Sequence, residues 1–281
     1  MREAIDRVIE SGQYSALAEL LEDACAKDVH YVAKRIVSSR QKDGGLLSDA
    51  RDWAGHSEVA CRLLACSLIR GSYAEDPSRA VSVLRGLAKD SDWTVGEAAG
   101  TACGTLLQED FEAMVEVLRE WRKDSSYRLR RTVAVAAAKA ARSQRLEWAE
   151  PLLKLLEPLL EDRHPSVRRN IGPAALGNVF LDRYRDITFE YLVKWSTSND
   201  EQVLWNVAMA FSSSAAAPLA KKGLIVLRKL SLDERRYVWR AVSSAMWKLG
   251  RKRPEVIRPE LASWLEDERR VEVARQALKY L

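Results

Sequence analysis

The sequence predicts an all-α fold, a right-handed α-solenoid of about seven to eight stacked helix pairs. The first observation is a hydrophobic anchor at Val59, Val95, Leu129, Val167, Val203, Val238 and Val271, with successive spacings of 36, 34, 38, 36, 35 and 33 residues. The second is that each anchor opens a helical apolar pattern: Val95 is followed by Ala98, Ala99, Ala102 and Leu106, Leu129 by Val133, Ala136 and Ala140, and Val203 by Val207, Ala210 and Phe211. The third is a turn signal ahead of most anchors, in DSDWTV (90–95), DSSYRL (124–129), DRHPSV (162–167) and SNDEQV (198–203).

Taken in chain order, MREAIDRVIESGQY is an amphipathic start, and KDGGLLSDARDWAG (42–55) breaks the repeat register. Residues 1–55 are therefore expected to form an irregular N-terminal cap, since terminal repeats are atypical, with a functional loop as the alternative; residues 56–281 form regular repeats of the same single domain. At each turn Asp92, Ser126 and Asp200 stand where they can cap free backbone amides of the second helix. Each first helix carries a large apolar residue seven or eight positions before the anchor, at Leu87, Trp121, Leu159, Trp195, Leu230 and Trp264. A column restricted to Leu and Trp is a packing position, so these tryptophans are expected in the core. ITFEYLVKW (187–195) alternates like a strand, but the repeat register makes it a first helix.

With 47% hydrophobic residues, 13 Gly and 8 Pro, the 281-residue chain has material for a continuous core and little for long loops. Cys25, Cys61, Cys66 and Cys103 lack metal-ligand spacing, and His30, His56 and His164 do not cluster with them, so no metal and no cofactor are expected and the thiols read as reduced core residues. No apolar run approaches a membrane span and no signal-peptide core is present; a soluble, cytoplasmic protein is expected.

Charge is segregated. Residues 1–120 hold 14 Lys and Arg against 21 Asp and Glu, and residues 121–281 hold 31 against 19, so a chain of net charge +5 has an acidic first part and a basic second. The basic part suits a negatively charged partner. A residue two after the anchor lies about 200° around the helix from it, away from the core. That column reads Glu97, Arg131, Arg169, Trp205 and Arg240, and the position before it reads Gly96, Arg130, Arg168, Leu204 and Trp239. Second helices of such solenoids line the concave surface, where Arg and Trp suit a phosphate backbone with an exposed base or sugar. The structural alternative is that arginines at second-helix starts pair with an acidic turn residue of a neighbouring repeat. The doublets Arg130-Arg131 and Arg168-Arg169 exceed what one such pair requires. Small residues five after the anchors, among them Gly100 and Gly172, point to close helix packing, and Asn170 and Asn206 to an amide hydrogen-bond ladder between repeats.

DSDWTVGEAAG (90–100) and, one repeat later, REWRKDSSYRLRRTVAVAA (119–137) resemble the HEAT-like repeat DNA alkylation repair superfamily, which comprises bacterial alkylpurine DNA glycosylases and non-catalytic relatives. The resemblance implies HEAT-like helix pairs forming a concave basic surface that holds duplex DNA, excision of N-alkylated purines such as 3-methyladenine or 7-methylguanine in the catalytic members, Trp93 and Glu97 as site residues, and Arg130 and Arg131 as backbone clamps. Gly96 stands where the family often has Arg, and the Trp-Trp-Asp motif of one catalytic branch is absent, so an active enzyme would use a different carboxylate. The chemistry asks little more: an alkylated purine is already a cationic leaving group, and one carboxylate can stabilise oxocarbenium character and activate water. Glu97 with the aromatic walls Trp93 and Trp205 meets that need, although an acid in a first helical turn also suits the macrodipole. Three functions follow: a DNA glycosylase acting on duplex DNA, a non-enzymatic binder of bent or branched DNA, and a protein–protein interaction scaffold.

Overall fold

The computed structural model describes residues 2–12, 14–22, 24–40 and 45–281, and all regular structure among them is helical. Two compact units meet at Met114 and Val115. The first contains α1 (Arg2–Ser11), α2 (Leu17–Leu21), α3 (Ala26–Arg40), α4 (Leu46–Ala54), α5 (Val59–Ser72), α6 (Pro77–Ala88) and α7 (Trp93–Glu109), and the boundary falls within α8 (Phe111–Trp121). The second contains α9 (Tyr127–Ala140), α10 (Ala149–Leu156), α11 (Pro165–Arg169), α12 (Leu181–Arg183), α13 (Arg185–Trp195), α14 (Glu201–Ala210), α15 (Ala220–Leu230), α16 (Arg236–Lys252), α17 (Pro254–Leu265) and α18 (Val271–Leu278). Among the described residues no single helix is long and apolar enough to cross a membrane.

Within the first unit α5 packs against α3, α4 and α7. Within the second, α9 packs on the segment that begins with α11, that segment on α14, α14 on α16 and α16 on α18, while α10, α13, α15 and α17 pack in a second row. Each element therefore meets its equivalent in the next repeat. The third residue of each second helix points into the core: Val95, Leu129, Val167, Val203 and Val238 are all buried. At the two ends the anchors shift. α5 begins at Val59 and α18 at Val271, so Cys61 and Val273 occupy the buried third position, and Val59 and Val271 are only half-buried. The Leu/Trp column is core, with Trp121, Trp195 and Trp264 each at most 5% exposed. Two of these indoles still find acceptors, Trp195 donating to Glu157 and Trp264 to Glu260, both at 2.7 Å.

A common turn precedes the second helices. The side chain of Asp90 accepts the backbone N–H of Asp92, Asp124 that of Ser126, Asp162 that of His164, Ser198 that of Asp200, Asp233 that of Arg235 and Asp267 that of Arg269. Each is an Asx- or Ser-type turn that aims the chain into the helix. Asp92 and Asp200 then cap α7 and α14, each accepting two amides. Ser126, expected as a cap of α9, makes no side-chain cap bond; at α11 the cap is His164, whose Nδ1 accepts from Ser166 at 3.2 Å.

In the irregular segment 42–55, Lys42, Asp43 and Gly44 lie outside the described residues, and the remainder forms α4 after Gly45 at φ +83°. Glu75 receives the Leu46 and Leu47 amides at 3.2 Å and so acts as an N-cap from a distant loop.

Residues Asn170–Phe180 form a π-helix that continues α11. Pro173 within it lacks an N–H and crowds the carbonyl four residues back, which favours the wider turn. The widened helix lies close against α14. A Cβ on Gly172 would stand 2.8 Å from the Asn206 carbonyl oxygen, and one on Gly177 2.8 Å from that of Ala210. Asn206, fully buried, accepts the Gly172 amide at 3.0 Å and donates to the Leu160 and Gln202 carbonyls at 2.9 and 3.1 Å. Asn170 bonds instead to Ser166 in its own helix, so the inter-repeat amide contact is made by Asn206. Gly172→Ala is expected to lower stability by about 1–3 kcal/mol through overpacking, read as a shift of the urea midpoint without change of slope.

Candidate nucleic-acid interface

Registering the second helices on their first residues places Glu97, Arg131, Arg169, Trp205 and Arg240 at the fifth position of α7, α9, α11, α14 and α16. None of the five is buried; Arg169 and Arg240 are exposed. The same register adds Arg275, exposed at the fifth position of α18. A sequence register built on Val271 misses Arg275 because the buried residue of α18 is Val273, two positions later. Among the described residues none of Arg169, Arg240 and Arg275 forms an ion pair.

The fourth position serves a different purpose. Arg130 donates from Nε to Asp162 at 2.5 Å and from Nη2 to the other carboxylate oxygen at 3.3 Å, while Nη1 donates to the Asp124 and Ser125 carbonyls at 2.9 and 2.8 Å. Arg62 repeats this in the first unit, donating to Asp90 at 2.7 Å and to the His56 and Ser57 carbonyls at 2.9 and 2.5 Å. Both guanidiniums tie their own turn to the acid of the next, and the acceptors Asp90 and Asp162 are only 11% and 6% exposed. All three nitrogens of Arg130 are engaged within the protein, which assigns it to holding the fold. Arg131, beside it, is half-buried and lies on the fifth-position column.

Arg168 departs from that ladder. Its guanidinium lies 5.6 Å from the Trp205 ring and 5.4 Å from that of Tyr237, and the two rings stack at 5.8 Å with planes 11° apart. The Tyr237 hydroxyl donates to Gln202 at 2.9 Å, which fixes its ring. One repeat earlier Tyr127 stacks on His164 at 3.6 Å, with Arg128 over the Tyr127 ring at 5.1 Å. Trp239, at the fourth position of α16, is half-buried. Aromatic rings and guanidiniums thus line the starts of successive second helices in the second unit. Tyr127 and Tyr237 stand two residues and one residue before their anchors, positions that none of the anchor-based columns includes.

In the first unit Trp93 opens α7 with 71% of its surface exposed, and Glu97, one turn along the same face, is half-buried. Asp92 beneath them is a cap, its carboxyl held below the usual range by hydrogen bonds from Thr94 and Val95 against the opposing effect of burial. Cys61, Cys66 and Cys103 are buried, whereas Cys25, expected in the core, is exposed; burial pushes the Cys66 thiol up to about 12, so it is a protonated core group at neutral pH. Among the described residues no group of His, Cys, Asp and Glu side chains has the arrangement of a metal site.

An all-helical chain of repeated pairs with basic, aromatic second-helix starts is of a class suited to long anionic ligands. The family model for DNA alkylation repair enzymes matches residues 25–175, more than half of the chain, and the chain belongs to that family. The matched stretch includes Trp93, Glu97, Arg130, Arg131, Arg168 and Arg169; Trp205, Trp239, Arg240 and Arg275 lie beyond it. No curated protein matches the chain.

The two arginine positions separate in a denaturation experiment. Arg130→Ala leaves the Asp162 carboxylate almost buried and unpaired, and is expected to cost about 2–4 kcal/mol, whereas Arg169→Ala or Arg240→Ala should stay within about 0.5 kcal/mol of the parent.

Proposed function

We propose that the chain is a HEAT-like α-solenoid that binds duplex DNA through its phosphate backbone and acts on N-alkylated purines. The observation that carries this reading is the division of labour between adjacent positions. Arg62 and Arg130 at the fourth position are bound into the turns, whereas Arg169, Arg240 and Arg275 at the fifth stand in solvent without a carboxylate partner. A row of exposed guanidiniums at one register, repeated every 35 to 36 residues from Arg169 through Trp205 to Arg240 and Arg275, matches a ligand whose charge also repeats. Membership of the DNA alkylation repair family supports DNA as that ligand.

Base release is assigned to Glu97 with Trp93. A cationic N-alkylpurine leaves without prior protonation, so the protein's contribution is a negative charge near the sugar as it gains oxocarbenium character, and a base for the attacking water. Glu97 supplies both from one group, and the exposed Trp93 ring on the same helix face offers a surface for a planar cation.

The test is release of free base from N-methylated duplex DNA, with Glu97→Gln alongside. Release by the parent and a fall of at least a hundredfold in the variant, at unchanged duplex affinity, is the expected result. Salt-dependent binding without release would make the protein a non-enzymatic binder of bent or branched DNA. If neither is found, the fifth-position arginines are left to an acidic protein partner. For the bound duplex, each phosphate contact adds about 0.9 to the magnitude of the log affinity against log salt slope, and Arg169→Gln is expected to remove about one such contact.

A further inference from the structure

Position four of α5, α9 and α11 is arginine in each case, Arg62, Arg130 and Arg168, and of these only Arg168 meets no turn acid in the next repeat. For the first two, the turn-forming residue of the next repeat is an aspartate, Asp90 or Asp162, which holds the guanidinium with two oxygens. For Arg168 the corresponding residue is Ser198. Its hydroxyl still makes the turn, accepting the Asp200 N–H at 3.1 Å, but brings no charge. Arg168 makes neither the ion pair nor the paired carbonyl contacts of its two counterparts, and lies instead on Trp205 and Tyr237.

This arrangement has the properties of an anion receptor. A guanidinium laid on aromatic faces keeps its in-plane N–H donors directed outward, and the rings limit its rotamers, so little order is lost when an anion binds. The platform is itself fixed, by the ring stack and by the Tyr237 to Gln202 hydrogen bond. Half-burial of Arg168 weakens its hydration and leaves its charge without a counter-ion among the described residues. Two oxygens of a phosphodiester match the guanidinium fork as the missing aspartate would.

We propose that Arg168, released from the turn ladder by Ser198 and preorganised on Trp205 and Tyr237, binds one backbone phosphate of the DNA in place of the absent aspartate. The proposal rests on the DNA-binding reading above and adds that Ser198 is the residue that decides whether this repeat binds itself or a phosphate.

The experiment is a double-mutant cycle on duplex affinity with a fluorescein-labelled duplex, using Ser198→Asp, Arg168→Gln and the double variant, with Ser198→Asn as the uncharged turn-forming control. The carboxylate introduced by Ser198→Asp is expected to recapture Arg168 as Asp162 holds Arg130. Ser198→Asp and Arg168→Gln should each weaken binding roughly tenfold, each reduce the salt slope by about 1, and the double variant should bind no more weakly than Arg168→Gln alone. Ser198→Asn should bind as the parent does. Ser198→Asp should also unfold at a denaturant concentration no lower than the parent, which shows that the loss of binding is not loss of fold. Parent-like affinity of Arg168→Gln, or additive losses in the double variant, would overturn the proposal while leaving the DNA-binding reading intact. Absence of duplex binding by the parent would overturn both.

Discussion

A hydrogen bond from a backbone N–H to a side-chain oxygen two residues earlier recurs at Asp90, Asp124, Asp162, Ser198, Asp233 and Asp267, and the placement of the second helices that follow depends on it. It turns the chain after each first helix and sets which residue begins the next. Once that start is set, helical geometry does the rest. The third residue goes into the core, the fourth lies over the turn and the fifth is turned about 200° from the third, toward solvent. In Asp90 and Asp162 the turn acid has a second duty, since its carboxylate also receives an arginine from the repeat before. Turn geometry and inter-repeat cohesion are therefore one interaction, and the sequence of the turn determines which arginines remain available for a ligand.

The tight contact between Asn170–Phe180 and α14 is the other constraint within the second unit. Gly172 and Gly177 let two backbones approach, and Asn206 receives the Gly172 amide and donates to the Leu160 and Gln202 carbonyls beside that contact. The fifth positions of α11 and α14, the exposed Arg169 and the half-buried Trp205, belong to these same closely packed helices. Their backbones are thereby held rigid, which suits side chains whose use is to meet a ligand at fixed spacing.

Much of this was legible in the sequence, because it depends on helical periodicity. The anchor column, the Leu/Trp core column and the caps Asp92 and Asp200 follow from spacing and residue type alone. The ends of the chain were less legible. Val59 and Val271 imitate an anchor, and only the observed helix starts show that Cys61 and Val273 hold the buried position, a two-residue shift that hid Arg275. The role of Arg130 was one of two readings the sequence left open, since a doublet does not say which arginine faces the turn; its contact with Asp162 assigns it. The platform under Arg168 was not legible, as it needs Tyr237 from the first turn of α16 and Trp205 from the second turn of α14 to meet across a repeat boundary. The π-helix was likewise hidden, for Pro173 announces a disturbance but not its form.

The central claim is that arginines one residue apart have opposite duties: at the fourth position, where a turn acid receives them, they hold the fold, and at the fifth they hold DNA. It is tested most directly by NMR of the arginine Nε–Hε groups while a duplex is titrated into the protein. The account predicts that the Arg169, Arg240 and Arg275 signals shift with the duplex and return at high salt, while those of Arg62 and Arg130 stay where they are. Equal shifts at both positions, or none at the fifth, would contradict it.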